Sequence, residues 1–501
     1  MKKDLSCLIP EYLSAGVSEF LSKRILGVVA IILLLGSTAF AQKADRSKVP
    51  PLGEPKKLSL PEIQSFELSN GLKVVLMEKH SVPLVQMNVI VKSGIADDPQ
   101  GKSGLASFTA DMLDEGAAGK TSLQLADEIN FLGVRISTFS RWHKMGLNLH
   151  SPLSKFDEAL KIAADILLRP DFPQNELDRI RREKLTAMLQ WHDQANTIAS
   201  ITFQKVLFGD NHPYGKPAMG NETSLKSFSS GDMKNFHSTY FKANNAYVVV
   251  VGDITKEQLV PKLESAFGKW EKGNVPVNKL KDAEQINKRV IYLVDKPGSA
   301  QSVISIGRIG TNRLTEDYFP ITVMNTILGG SFTSRLNNNL REQHGYTYGA
   351  SSSFDMRQYA GPFIARSSVQ TEVTDKALVE FFKELNGITK PIPAEELTRA
   401  KNYVALGYPD NFQTVAEIAA NIEEMIDYNL PKDYFNSYIG KVLNVSAGDV
   451  SKVSKKYIVP DKMAVIVVGD RSKIEEGIKK LNLGEIKHYK IEDVLGKKPQ
   501  L

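Results

Sequence analysis

The feature that most constrains this chain is an internal repeat. Ala246-Tyr247-Val248-Val249-Val250-Val251-Gly252-Asp253 recurs as Met463-Ala464-Val465-Ile466-Val467-Val468-Gly469-Asp470, each time after an aromatic-bearing helix end and a short turn. A β-branched run closed by Gly-Asp reads as a strand followed by a turn. At nearly the same offset, a strand ending at Gly94 pairs with one ending at Gly310, and a helix through Ser107 to Asp111 pairs with one through Pro320 to Leu328. Repeats outrank local readings, so two homologous halves are expected. Strand-like runs such as Lys73–Met77 and Val85–Val91 alternate with amphipathic stretches such as Phe156–Leu168, which makes the pattern α/β.

At 501 residues, 42% hydrophobic and 24% charged, the chain is long enough for two or more domains that each bury a core. The formal charge is +6, or +5 without residues 1 to 41. That excess is small and scattered, with no aromatic-interleaved basic stripe, so nucleic acid is not an expected partner. Lys23-Arg24, the apolar run Ile25 to Leu35 and the small residues ending at Ala41 have the three parts of a secretory signal. The apolar run is shorter than the roughly 20 residues of a spanning helix. Cleavage after Ala41 and export to a bacterial periplasm are expected, with anchoring by an uncleaved signal as the alternative. Cys7, the sole cysteine, lies in that segment, leaving no thiol or disulfide in a mature chain. The expected organisation is a signal (1–41), a flexible lead-in (42–57), an N-terminal half (58–270), a linker (271–289), a C-terminal half (290–490) and a tail (491–501).

The run Gly104-Leu105-Ala106-Ser107-Phe108-Thr109-Ala110-Asp111-Met112-Leu113-Asp114-Glu115-Gly116 resembles the zinc helix of the pitrilysin/insulinase-like metallopeptidases, where such a frame surrounds His-x-x-Glu-His. The resemblance extends over nearly all of residues 58 to 490. It is supported by the duplication, by Arg169-Pro170-Asp171-Phe172 ahead of a long charged helix, and by His212-Pro213-Tyr214-Gly215 with Gly220 behind it. It implies an α+β sandwich of two homologous halves, each a mainly antiparallel sheet backed by helices, together forming a clamshell. In the intact motif two imidazoles on one helical face hold zinc and the glutamate takes a proton from the bound water. Here the histidine places are Ser107 and Asp111, the glutamate place is Ala110, and the third-ligand place on the long helix is Ala187. Glu183 is one turn earlier on that helix, and Ser107, Asp111 and Glu183 together would suit magnesium or calcium better than zinc. None of the eight histidines from His80 to His488 restores a zinc motif. His143 and His150, seven apart in a stretch read as one strand from Val134 to Leu149, would face opposite ways. No metal is expected in this chain.

The C-terminal half is different. Gly329-Gly330-Ser331-Phe332-Thr333-Ser334-Arg335-Leu336 leads into a short helix burying Leu336 and Leu340 and ending near Gly345, before a strand from Tyr346 to Phe354. The resemblance makes Arg341 and Tyr348 the family's arginine/tyrosine pair, which binds peptide carbonyls and donates to the oxyanion. Tyr346 is the nearest alternative to Tyr348. A planar cation and a phenol suit negative charge formed only in the transition state. The combination implies an exported peptidase subunit without its own zinc, inactive alone, acting with a zinc-bearing partner subunit of the same family on peptides. The alternative is a non-catalytic peptide-binding or scaffolding pseudo-enzyme.

Overall fold

Strands whose apolar residues run continuously must be covered on both faces, and this requirement organises the molecule. The structure is a computed structural model that describes residues 53–55 and 58–500. The expected signal, most of the lead-in and Cys7 lie outside the described residues. One unit, Pro55–Leu501, contains both halves.

In the first sheet, β1 (Ile63–Glu67) pairs antiparallel with β2 (Lys73–Glu78), and β2 pairs parallel with β8 (Ala246–Gly252). Antiparallel pairing then continues through β3 (Leu84–Val91), β7 (Met145–Pro152) and the edge strand β6 (Arg135–Ser140). A separate ribbon joins β4 (Gly116–Ala117) to β5 (Lys120–Thr121). The second sheet begins at the edge strand β11 (Thr347–Phe354) and runs antiparallel through β12 (Pro362–Gln370), β10 (Gln301–Ile309) and β13 (Ala464–Gly469). It ends in parallel β9 (Val290–Asp295) and β14 (Glu485–Tyr489). The sheets are thus mixed, with antiparallel pairs in the majority. From β2 to β6 and from β9 to β11 the strand orders match, as the repeat predicts. Only the outermost positions differ: β1 precedes its neighbour in sequence, whereas β14 comes from the far end of the second half.

One face of the first sheet, with Val74, Leu76, Met87, Val89 and Val250, packs under the N-terminal half's own helices, among them Leu105–Met112 and Phe156–Leu168. The other face, with Val75, Met77, Val249 and Val251, joins a core that also holds Ile304, Ile306, Val465 and Val467 of the second sheet. The helix Val415–Asp427 makes this possible by lying on β8 and β3 and inserting Ile418, Ala419 and Ile422. Reciprocally, the helix Ala195–Phe208 leaves its own half and lies on β13 and β10, where Ile198, Phe203 and Leu207 meet Val303, Ile466 and Val468. The expectation that each half buries its own core is therefore corrected. Each sheet has one face onto which a helix of the other half packs, and the clamshell takes an interlocked form.

Polar groups tie the same joint. Lys144 Nζ reaches Glu423 at 2.8 Å and Asp427 at 2.7 Å, and Asn88 Nδ2 donates to Glu423. The Arg357 guanidinium lies 4.7 Å from the Trp142 ring and 4.3 Å from that of Tyr214, close enough for cation–π attraction. The linker from Glu271 to Arg289 contains no helix or strand. Residues beyond 490 turn back onto the N-terminal half: the helix Ile491–Leu495 packs on Ala195–Phe208, and Gly496 O is 3.1 Å from His192 Nε2. Among the described residues no helix is long and apolar enough to cross a membrane.

Candidate functional site

The helix Leu105–Met112 starts on a borrowed cap. Asp98 accepts hydrogen bonds from the backbone N–H groups of Gly104 (2.6 Å) and Ala106 (2.8 Å), satisfying donors that a helix N-terminus leaves free. Burial nevertheless pushes this carboxyl up to about 7. Gly104 has φ +91°, and a Cβ there would fall 2.3 Å from Met219 O. Gly220 backs onto Ser103 O in the same way, so the start of the Gly104–Gly116 run and the turn behind His212–Gly215 meet at close range.

On this helix Ala110 is buried, while Ser107 and Asp111 are part-exposed. The long helix Gln174–Trp191 crosses it and presents Lys184, whose ammonium pairs with the Asp111 carboxylate and lies 5.6 Å from the Phe108 ring. Glu183, the alternative third ligand, points to another cation: Arg179 binds it at 2.8 Å and also binds Glu115 (2.5 Å) and Glu176 (2.6 Å). Ala187 offers only a methyl group. Both carboxylates that could have served a hard cation are already neutralised by side-chain cations. A metal at Asp111 would meet the Lys184 ammonium, and the hydroxyl of Ser107 is a weak donor. The residues present do not fit zinc, nor the magnesium or calcium set weighed from sequence. Among the described residues no three His, Cys, Asp or Glu side chains form a group able to hold a metal ion.

In the C-terminal half the helix Tyr318–Leu328 ends in the Gly329–Ser334 loop, which feeds a short α-turn, Arg335–Asn337, and then a wider π-turn, Asn338–Gln343. Leu336 and Leu340 are fully buried, as their spacing predicts. Side-chain amides fix the loop: Asn337 Nδ2 donates to Phe332 O (2.7 Å) and Asn338 Nδ2 to Thr333 O (3.0 Å). Asn337 Oδ1 also accepts from Ala350 N (3.2 Å), which fastens the turn to β11. Arg341, on the π-turn, sits 4.6 Å over the Phe332 ring, with Glu342 beside its Nε at 3.3 Å. Phe332 itself is 60% exposed.

Tyr348 projects from a bulge. Thr347 pairs with Val369 and Ala350 with Ser367, so β11 carries one residue more than β12 between these pairs. Such a bulge re-aims a side chain. Its shape is held by hydroxyls: Gly349 N donates to Thr347 Oγ1 (3.0 Å), and Ser367 Oγ donates to Gly349 O (2.9 Å). Tyr348 is left 91% exposed on the edge strand. Tyr346 precedes the strand and stacks on His344, with ring centroids 4.9 Å apart. Arg341 and Tyr348 therefore lie on adjoining elements of one corner. The structure does not bring them to the Ser107–Asp111 helix, which packs on the helices Gln174–Trp191 and Ser230–Tyr240 and on β6 and β7.

One sequence reading changes. Val134 to Leu149 is not one strand, because Arg141 to Lys144 reverse the chain between β6 and β7, closed by Arg141 N donating to Lys144 O at 2.7 Å. His143 lies in that turn, beside Tyr214 OH, and burial pushes its imidazole down to about 4. His150, on β7, is 3.0 Å from Gln86 Oε1. Lys184 was missed, although it stands three residues before Ala187. Phe332 was also passed over, although an aromatic between Gly-Gly-Ser and Ser-Arg-Leu was visible.

Residues 73–207 match the family described as Insulinase (Peptidase family M16), and residues 227–404 match the Peptidase M16 inactive domain. A Rickettsia bellii protein called an uncharacterized zinc protease is 23% identical over 80% of this chain and 96% of its own length. A Helicobacter pylori protein called non-peptidase homolog YmxG is 22% identical over 80% of this chain and 92% of its own. The crystal structure of a peptidase M16 inactive domain from Pseudomonas fluorescens superposes with a TM-score of 0.76 at 27% identity, covering 81% of this chain and 98% of that one. A Helicobacter pylori protease structure gives the same TM-score at 18% identity, over 82% and 100% of the two chains, and supports the fold. The chain thus belongs to the insulinase-like peptidase M16 family, with residues 227–404 matching the domain that the family describes as inactive.

Proposed function

We propose that this chain is the zinc-less subunit of an exported two-chain peptidase, contributing Arg341 and Tyr348 to peptide binding and oxyanion stabilisation in a site whose zinc sits on its partner. One observation carries the reading: Tyr348 is held outward by a hydroxyl-pinned bulge, beside an arginine that sits over an exposed aromatic ring. A phenol needed only for packing would be buried. In the expected zinc corner, by contrast, the acidic groups are paired internally. Arg341 would orient a peptide carbonyl, and Tyr348 would donate to the oxygen that becomes negative after water attack. The partner, a chain of the same family with an intact His-x-x-Glu-His, would supply zinc and the general base. Peptides and unfolded segments are the expected substrates.

A second reading has support in the name of the Helicobacter relative, a non-peptidase homologue: the chain captures peptides or scaffolds an assembly without hydrolysis. Purification of the tagged chain from its native cells separates the two. A stoichiometric companion bearing His-x-x-Glu-His, with peptide cleavage by the pair and by neither chain alone, is the expected result. A chain that purifies alone, or a pair without activity, would establish the pseudo-enzyme. The expected signal makes the periplasm the compartment to fractionate.

A further inference from the structure

On the outer side of the N-terminal half, away from both corners, a groove of about 1000 Å³ runs between the helices Phe156–Leu168 and Lys256–Phe267. It follows the first helix from Asp157 to Arg169, a rise of about 18 Å. Leu160 and Ala164 form its floor on one side, with Phe241 and Trp270 opposite. Pro261, inside the second helix, lines the groove and lacks the N–H that would bond the Glu257 carbonyl, leaving one rung of that helix unmade.

The charges around this apolar floor are unequally committed. Lys262 is paired with Asp157 at 2.6 Å at one end, and Arg169 is paired with Asp165 at the other. Among the described residues no ion pair involves Lys161, Lys242 or Lys269, all of which line the groove, and Glu271 is the one lining acid outside those two pairs. An apolar trough rimmed by three uncommitted ammonium groups favours a ligand with an apolar body and a negative head. Its volume lies at the upper end of the roughly 300–1,000 Å³ typical of single-ligand sites, which are apolar with a few placed polar groups.

We propose that this groove is a binding site for a free single-chain anionic amphiphile of the fatty-acid carboxylate class, its hydrocarbon laid against Leu160, Ala164, Phe241 and Trp270 and its carboxylate held by Lys161, Lys242 and Lys269. Lysine stems cover apolar ligand surface while their heads meet the anion. The site is independent of the proposed peptidase role.

The test is calorimetric titration of the full chain with decanoate below its micelle concentration. Saturable binding at one per chain is expected, weakened at least tenfold by Lys161→Glu with Lys269→Glu and weakened by added salt, while decyltrimethylammonium does not saturate. Both lysines are exposed, so the double variant should keep its fold, which its melting temperature checks. Ala164→Leu, which fills the floor without changing charge, should also reduce binding. No saturation by decanoate, or equal binding by wild type and the double variant, overturns the proposal. Lysine-dependent capture of an acidic amphipathic peptide or of anionic vesicles without decanoate binding also overturns it and assigns the groove to a protein or a membrane surface.

Discussion

The two corners of this molecule carry opposite solutions to the same problem, what to do with a polar group on a helix or an edge strand. In the N-terminal corner, Asp111 and Glu183 are neutralised from within by Lys184 and Arg179. In the C-terminal corner, Tyr348 faces solvent from a bulge, and Arg341 rests on an exposed ring. An ion pair between two helices can replace the tie that a shared metal would provide, because either arrangement cancels charge across the crossing. No comparable internal use is made of Tyr348. The comparison therefore separates a corner whose carboxylates are paired within the chain from one whose phenol is left to solvent.

The largest expected effect lies in the solvent-facing corner. In the assembled pair, Tyr348→Phe should lower kcat by about 10²- to 10³-fold, the cost of losing one oxyanion donor. Its side chain is exposed, so the melting temperature should stay put. Arg341→Ala should lower kcat similarly and raise KM as well, since it also loses carbonyl binding. Asp111→Ala in the same pair should leave turnover unchanged. Equal losses from Tyr348→Phe and Asp111→Ala would erase the distinction between the corners.

Much of this was legible in the sequence. The repeat ending at Gly252 and Gly469 located the two central strands, which the structure buries on both faces. What covers those faces was not legible. The helices Ala195–Phe208 and Val415–Asp427 cross to the opposite half, and an amphipathic pattern shows that a helix has an apolar face without naming the sheet that receives it. The turn at Arg141–Lys144 escaped because it contains neither glycine nor proline. Within the sites, motif spacing singled out Arg341 and Tyr348 as candidates, but Lys184 could be recognised only once two helices far apart in sequence were seen to cross. The bulge at Tyr348 depends on register with β12, which a single strand's sequence does not contain.

The joint between the halves offers the next test, because it holds both corners on one body. His143 is buried beside Tyr214, and its imidazole is pushed down to about 4 from an ordinary 6.5, chiefly by burial and then by Arg357. Between those values the unfolded chain holds a proton that the folded chain does not. The contribution of His143 is therefore complete above pH 6.5 and is lost as pH falls toward 4, by at most about 1.4 kcal/mol per pH unit. Asp98 works in the opposite sense: raised to about 7 by burial, it favours the folded state at low pH and loses that contribution as pH rises from about 4 to 7. Comparison of wild type with His143→Gln at matched pH cancels the Asp98 part. Urea unfolding should show the variant losing less stability than wild type between pH 6.5 and 4. Parallel curves would mean that the joint does not sense protonation at His143.

The smallest effect probes the paired corner itself. Lys184 is 11% exposed and Asp111 44% exposed, so water reaches one side of the pair and screens it. Half-exposed ion pairs contribute little, so Lys184→Ala should cost no more than about 1 kcal/mol in urea unfolding. The more informative reading is metal content. Removing the ammonium frees the Asp111 carboxylate, yet Ser107 remains a weak ligand and Ala187 none, so the variant should still bind no stoichiometric zinc. Zinc uptake by Lys184→Ala but not by wild type would show that a single lysine keeps a latent metal site closed. That corner would then be a suppressed site, and the difference between the two halves would rest on one side chain.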